Sequence, residues 1–142
     1  MPLGEIFVSN MDSLPSIRAE TLPSRDLEGV DLKPIDVVKL AQLQAQLFAK
    51  TFEAALQEFL PEAHVVSDDG PWIYLFPAEL QKALAGFDER EISSVANKWA
   101  QSQEFALDGI NSAGVAEILK QLVRLAGIAE QSNRQVYLWN CL

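Results

Sequence analysis

The sequence predicts a mainly helical α+β fold in which about four helices surround one core and two or three short strands pair. Its 142 residues are 49% hydrophobic, enough for one core without disulfides or metals. Apolar residues recur at steps of three and four over long segments, which is typical of amphipathic helices. Two short, uninterrupted apolar runs are instead typical of buried strands. We therefore expect a single domain over residues 1–142, with its helical core in 35–142.

The first helix is predicted over residues 35–60. Pro34 precedes this segment and Pro61 follows it, both positions where proline is accepted at a helix boundary. One apolar stripe is formed by Leu40, Leu43, Leu47, Phe48, Phe52, Ala55, Leu56 and Phe59.

Three further helices are predicted over residues 77–85, 88–102 and 113–132. The first begins at Pro77 and ends before Gly86, in agreement with the usual start and stop signals. The second has the clearest start, because Asp88 is a good cap and Glu91 is placed to bond back to it. The helix predicted over residues 113–132 presents an apolar stripe formed by Val115, Ile118, Leu119, Leu122, Leu125, Ala126 and Ala129.

Two aromatic runs are predicted to be strands. Residues Trp72–Phe76 are all aliphatic or aromatic and stop at Pro77, and Val136–Trp139 closes the chain in the same manner. An isolated two-stranded ribbon is only marginally stable. We therefore expect the two runs to pair under a cover of helices, with Ile6–Val8 as a third strand.

Residues 1–34 are predicted to be an irregular N-terminal arm. No period is sustained over residues 9–34, and Pro15, Pro23 and Gly29 interrupt them. Such an arm either wraps the core or stays mobile. Leu14 and Ile17 are among the apolar anchors that favour wrapping, since disordered segments usually lack them.

The charge composition argues against several classes of partner. Twenty acidic and eleven basic residues give a net charge of −9, so phosphate backbones and anionic lipids are repelled. No stretch approaches the roughly 20 apolar residues of a membrane span. Glu5 and a short apolar run do not match a secretory signal. We expect a cytoplasmic protein that binds neither nucleic acid nor membrane, with Cys141 reduced.

The only histidine lies among acidic residues. Glu62, His64, Asp68 and Asp69 offer oxygen and nitrogen ligands for a divalent cation, but their spacing matches no metal loop. The pattern favours a solvated turn before Gly70, so we predict no metal and no cofactor. A Cys–His or Ser–His pair would have to use His64 as its base, and the penultimate position of Cys141 is poorly suited to a nucleophile. We therefore predict no catalytic residue.

Among the carboxylates, Glu104 is the strongest candidate for a binding role. It is predicted near the C-terminal end of the helix over residues 88–102, where the helix dipole disfavours negative charge. It also lies between Trp99 and Phe105 in the sequence. Such an environment would raise its pKa or receive a cationic ligand. The alternative is that the helix ends earlier and Glu104 faces solvent. Asp108 and Asp68 are the other acids that a carboxylate-dependent activity would use.

Two of the three tryptophans are candidates for binding a partner. Trp99 continues a helical stripe, so we predict that it belongs to the core. Trp72 and Trp139 lie at the ends of the strand-like runs, where an exposed aromatic residue would anchor a partner.

The second half of the chain resembles a group of small uncharacterised bacterial proteins. The similar stretches are Pro71-Trp72, Phe76-Pro77, Trp99-Ala100, Glu104-Phe105 and Val136-Tyr137-Leu138-Trp139. The resemblance implies a bacterial, cytosolic, single-domain protein and transfers no activity or site residue.

Three functions fit the sequence. The first is a non-catalytic, acidic module that binds and regulates a basic protein partner, because acidic surfaces steer basic partners. The second is a small carboxylate-dependent enzyme or ligand-binding protein that uses Glu104, Asp108 and Asp68. The third is a homo-oligomeric structural protein in which the arm or the last strand pairs between copies.

Overall fold

The computed structural model describes residues 3–141, which form eight helices and one five-stranded antiparallel sheet. The strands are β1 (Leu3–Ser9), β2 (Glu28–Asp31), β3 (His64–Val65), β4 (Trp72–Leu75) and β5 (Gln135–Cys141). The helices are a 3-10 helix (Met11–Ser16), α1 (Pro23–Asp26), α2 (Val37–Phe48), α3 (Phe52–Gln57), α4 (Ala78–Ala85), α5 (Glu89–Trp99), α6 (Gln103–Leu107) and α7 (Ser112–Gln131). Met1, Pro2 and Leu142, which the predicted domain of residues 1–142 includes, lie outside the described residues.

The sheet joins the two ends of the chain. Its strand order is β2-β1-β5-β4-β3, and β1 pairs with β5 from Leu3 opposite Cys141 to Ser9 opposite Gln135. The expected pairing of the two aromatic runs, with the N-terminal run as a third strand, is confirmed. The sheet nevertheless has more strands than the predicted two or three, because β2 and β3 add an edge strand on each side. Both are too short to show an alternating pattern in the sequence.

The two faces of the sheet contact different layers. Ile6, Val8, Val136 and Leu138 face the helices and belong to the main core. Helix α7 contributes all seven residues of its predicted stripe to that core. Phe7, Ile73, Tyr137 and Trp139 point to the opposite face and pack against Leu14 and Ile17 of the N-terminal segment. The sheet is therefore buried on both sides, as its uninterrupted apolar runs indicate.

The prediction of one continuous helix over residues 35–60 is wrong, because the structure has two helices there. Helix α2 ends at Ala49, whose φ of 53° is left-handed and whose N–H bonds to Ala45 O. Thr51 then starts α3 by accepting a hydrogen bond from Ala54 N at 3.1 Å. Left-handed alanine is uncommon, so no sequence signal marked this end.

The other predicted helices are closer to the structure. Helices α4 and α7 lie within one residue of the predicted bounds. Helix α5 begins at the expected capping box, in which Asp88 Oδ1 accepts from Glu91 N at 2.8 Å and Glu91 Oε1 accepts from Asp88 N. It ends at Trp99 rather than near residue 102, and the short helix α6 follows it.

The N-terminal segment is more regular than the predicted irregular arm. Residues 3–31 contain β1, the 3-10 helix, α1 and β2, and residues between the two strands cover one face of the sheet. The segment therefore wraps the core, which is the alternative that its apolar anchors favoured. Among the helices within residues 3–141, none has the length and apolar character needed to cross a membrane.

Candidate functional site

Two of the predicted site residues, Glu104 and Asp108, meet the same face of helix α2. Asp108 Oδ2 accepts a hydrogen bond from Lys39 Nζ at 2.5 Å, and Glu104 accepts one from Gln42 Nε2. Lys39 and Gln42 lie three residues apart on α2, so they share one side of that helix. The two carboxylates thus join α6 to α2.

Lys39 is the buried centre of this contact. Its side chain is only 4% exposed, whereas that of Asp108 is 33% exposed. Lys39 Nζ also donates to Pro34 O at 2.5 Å and lies 3.9 Å from a carboxylate oxygen of Asp36. A buried ammonium group is stable only when its donors and its charge are satisfied, and these oxygens meet that requirement.

Two aromatic residues contact the same lysine. Its Nζ lies 5.5 Å from the centre of the Phe105 ring, a distance at which a cation is attracted to the ring face. Trp99 contacts Phe105 edge to face, with the ring centres 5.0 Å apart, and donates its indole N–H to Lys39 O at 2.9 Å. Trp99 is 1% exposed, so the prediction that it belongs to the core is confirmed.

The expected environment of Glu104 is wrong in one respect. Glu104 does not lie at the C-terminal end of the preceding helix, because α5 stops at Trp99. It lies in the first turn of α6, where the helix dipole favours a negative charge. Glu104 is half-buried and bonded to Gln42, so it does not simply face solvent.

Asp68 and Asp69 lie in the exposed turn between β3 and β4. The turn is closed by hydrogen bonds from Gly70 N to Ser67 O at 3.0 Å and from Ser67 Oγ to Gly70 O at 2.6 Å. Gly70 has a left-handed φ of 89°, which glycine adopts without strain. Over residues 3–141, no three side chains from His, Cys, Asp and Glu are grouped closely enough to hold a metal ion.

The two candidate tryptophans differ in their surroundings. Trp72 is half-buried on β4, and its ring lies so close to Gly70 that a Cβ atom there would be 2.8 Å from it. Trp139 is only 3% exposed and faces the N-terminal segment. Trp139 therefore presents almost no surface to a partner while that segment is in place.

Residues 51–81 are a stretch of the chain with an acidic composition, and we call its exposed part the acidic surface. This stretch carries no lysine or arginine, and it comprises α3, the β3–β4 hairpin and the start of α4. Its six carboxylates are Glu53, Glu58, Glu62, Asp68, Asp69 and Glu79.

One lysine from α2's C-terminal side bridges two of these carboxylates. Lys50 Nζ bonds to Glu58 Oε1 at 2.6 Å and also to Glu79. The buried Gln44 donates Nε2 to the same two residues, at 2.8 Å and 2.7 Å. The hydrogen bond from Lys50 lowers the pKa of Glu79, and the hydrogen bonds to Glu58 and Glu79 raise the pKa of Lys50. Glu58 and Glu79 are therefore held side by side.

The other four carboxylates of the acidic surface carry no counter-charge. Glu53, Glu62, Asp68 and Asp69 form no ion pair within residues 3–141. Burial raises the pKa of Tyr74 on β4, and the negative charge of Glu62 raises it further. The charge of Glu62 thus acts on a side chain of β4.

Apolar side chains accompany the acids. Leu60 is 36% exposed and Val65 is 44% exposed, and both belong to the acidic surface. Protein interfaces combine an apolar centre with a polar rim, so both kinds of side chain are available here for contact with a partner.

Two cavities are lined by other residues. One, of about 180 Å³, lies where α4, α7 and β5 meet, and includes Gln81, Glu130 and Arg134. The second, of about 260 Å³, lies between Glu89 on α5 and Lys120 on α7. None of the predicted site residues lines either cavity.

Comparison with known proteins finds no matching family model, no similar curated protein and no similar solved structure. The resemblance of the second half to small bacterial proteins therefore stays a prediction.

Sequence reasoning missed the partners of the acids. Lys39 and Gln44 are polar residues next to the apolar stripe of α2. Polar residues at such positions are rarely buried without a partner, and this was the available signal that each has one. Gln42 and Lys50 carried no signal, because their roles depend on helices that are distant in the sequence.

Proposed function

We propose that this protein is a non-catalytic module that binds a basic protein partner through the acidic surface. The observation that carries the proposal is the composition of residues 51–81, which contain six carboxylates and no lysine or arginine. Four of the six form no ion pair in the part of the chain that the structure describes. A bacterial origin and a cytoplasmic location belong to the same proposal.

Electrostatic attraction supplies the recognition. The stretch carries a net charge of −6, which is two-thirds of the −9 of the whole chain. A concentration of one sign of charge steers a partner of opposite sign and raises its association rate. Leu60 and Val65, exposed on the same stretch, supply apolar contacts. The fitting partner is a basic segment that also carries aliphatic side chains.

The contacts of the other candidate acids favour this function over a carboxylate-dependent enzyme. Glu104 is bonded to Gln42 and Asp108 to Lys39, so both hold α6 against α2. Asp68, the third acid of the enzyme hypothesis, lies in the turn between β3 and β4. Two of the three acids are thus engaged in contacts that join helices, and neither cavity is lined by any of the three.

A binding experiment with a variant whose charges are neutralised tests the proposal. The probe is a short synthetic peptide of alternating lysine and valine, and its binding to the full chain is measured by isothermal titration calorimetry at low ionic strength. The test variant combines Glu53→Gln, Glu62→Gln, Asp68→Asn and Asp69→Asn. We expect about a tenfold or greater loss of affinity, since the four charges contribute a few tenths of a kcal/mol or more each.

A matched control has the same change of net charge elsewhere. It combines Asp12→Asn, Glu20→Gln, Asp31→Asn and Glu89→Gln, which are all exposed and outside the acidic surface. The control is expected to bind the peptide within about twofold of the wild type, allowing for its lower overall charge. Equal losses in both variants would contradict a specific role for the acidic surface.

A further inference from the structure

Residues 10–27 form a segment that we call the flap. It leaves the sheet after Ser9 at the end of β1 and returns at Glu28, the first residue of β2. Val8 and Glu28 are paired neighbours in the sheet, so the two ends of the flap lie side by side. Loops with this geometry are compact surface units and are frequently functional.

The flap covers an aromatic face of the sheet. Phe7 and Tyr137 stack there with their ring centres 5.3 Å apart, and Trp139 lies beside them in the same cluster. The flap contributes Leu14 and Ile17, which are 3% and 4% exposed. These side chains close the space above the rings.

Two polar atoms under the flap have no hydrogen-bond partner among residues 3–141. They are the hydroxyl oxygen of Tyr137 and the indole nitrogen of Trp139. The two residues are 0% and 3% exposed, and they lie two positions apart on β5, on the same face of the strand. A buried polar group without a partner is costly. Each such group calls for an explanation, and a ligand that accepts hydrogen bonds from both would supply one.

The flap is held to the sheet mainly by apolar packing. Leu14 and Ile17, with Leu22 and Leu27, pack against the aromatic face. One hydrogen bond from the flap reaches a distant residue of the described chain, from Ser24 N to Glu5 Oε1 at 2.7 Å; others, such as that from Leu22 N to Asp26 Oδ2 at 2.9 Å, are internal. Lifting the flap would therefore break apolar contacts and one hydrogen bond, and it would leave the pairing of β1 with β2 intact.

The unpartnered groups define the chemistry of the ligand. The indole N–H of Trp139 is a donor only, so a ligand must offer it an acceptor, which an ammonium group lacks. The buried carboxylate of Glu5 lies on the same face, with its Cα paired to that of Trp139, and it repels anions. An uncharged acceptor is left, and the aromatic and aliphatic side chains of this face suit a flat, apolar molecule, with a carbonyl oxygen as the acceptor.

We propose that the sheet face under the flap is a binding site for such a molecule, which enters when the flap lifts. Tyr137 and Trp139 donate hydrogen bonds to its carbonyl oxygen, and Phe7 stacks beneath it. This site is separate from the acidic surface, and its occupancy does not depend on the function proposed for that surface.

Nile red, an uncharged planar dye with a carbonyl oxygen, is the probe, and its fluorescence reports binding to the full chain. Tyr137→Phe is expected to weaken binding by about fivefold to tenfold, because one hydrogen bond is lost. The same variant without dye is expected to melt at the wild-type temperature or above it, since the substitution removes a buried group without a partner. Leu14→Ala with Ile17→Ala is expected to bind the dye several-fold more tightly, because a larger fraction of the chain has the flap open.

Tyr74→Phe is the matched control, since Tyr74 lies on the helix-facing side of the sheet, and it is expected to bind the dye like the wild type. The proposal would be overturned by unchanged binding in Tyr137→Phe, by an equal loss in Tyr74→Phe, or by tighter binding of the anionic dye anilinonaphthalene sulfonate than of Nile red. A clear drop in the melting temperature of free Tyr137→Phe would also overturn it, because the hydroxyl would then have a partner such as a buried water.

Discussion

Lys39 and Asp108 form an ion pair of 2.5 Å between residues that lie 69 positions apart in the chain. The pair joins the first turn of α2 to the residue that follows α6. The nearly complete burial of Lys39 makes its contacts important for stability, since an uncompensated buried charge is expensive. We therefore assign Asp108 a positioning role in the fold.

Asp108→Asn is expected to destabilise the protein by about 2 kcal/mol, because it leaves the buried ammonium group of Lys39 with less negative charge nearby. Urea unfolding followed by circular dichroism measures the change. Lys39→Met is expected to cost less than Asp108→Asn, since it removes the buried charge itself. The opposite order would contradict the account of this ion pair.

Gln81 is predicted to be a second buried polar group that stabilises the fold. Its Oε1 accepts from Val136 N at 2.9 Å, and its Nε2 donates to Glu130 at 2.8 Å and to Arg134 O at 3.0 Å. Gln81→Leu is expected to cost about 2 kcal/mol, because the N–H of Val136 is left buried and unpaired.

Chemical denaturation measures this cost, and Gln57→Leu, at an exposed position of α3, is the control. The control is expected to change stability by less than about 0.5 kcal/mol. A similar small change for Gln81→Leu would show that β5 and α7 do not depend on this side chain.

The ion pair between Lys50 and Glu79 predicts a pH dependence of stability. Lys50 lowers the pKa of Glu79 from its ordinary value of 4.5, so the carboxylate stabilises the folded state above that pH. The contribution is lost as the pH falls through the lowered pKa, because the native carboxylate is then protonated. We expect wild type to be more stable than Glu79→Gln at neutral pH, and the difference to disappear in strong acid.

Thermal melting of both proteins between neutral and acidic pH measures this difference. Glu53→Gln is the control, since Glu53 is exposed and forms no ion pair in the described residues, and its difference from wild type is expected to stay constant. A Glu79→Gln difference that is independent of pH would contradict the pairing.

The sequence predicts those parts of the fold that have local signals. Asp88 and Glu91 mark the start of α5, and Gly86 marks the end of α4, because caps act on residues a few positions away. The end of α2 at Ala49 depends on a left-handed alanine, which has no such signal. The edge strands β2 and β3 depend on pairing with distant strands, so their short segments showed no pattern.

The same distinction applies to the candidate site. Glu104 and Asp108 could be singled out from the sequence, because each is an acid near aromatic or turn residues. Their partners Lys39 and Gln42 could not, since the packing of α2 against α6 brings them together. The burial of Trp139 likewise depends on the flap, whose course over the sheet has no periodic signature.

The strand order predicts different effects for two deletions. Removing residues 1–30 is expected to abolish folding, because β1 lies between β2 and β5 in the sheet. Replacing residues 10–27 with a short glycine-containing turn is expected to leave a folded but less stable protein, since Val8 and Glu28 are already adjacent. Sedimentation and circular dichroism distinguish the two outcomes, and a folded product of the first deletion would contradict the sheet order.

The central functional claim is that a basic partner binds residues 51–81. The most direct measurement is a titration of the isotopically labelled full chain with the lysine–valine peptide, followed by the amide resonances in NMR spectra. The account predicts that the largest shift changes fall on α3, the β3–β4 hairpin and the start of α4. Largest changes in the acidic first turn of α5, or changes spread evenly over the chain, would contradict it.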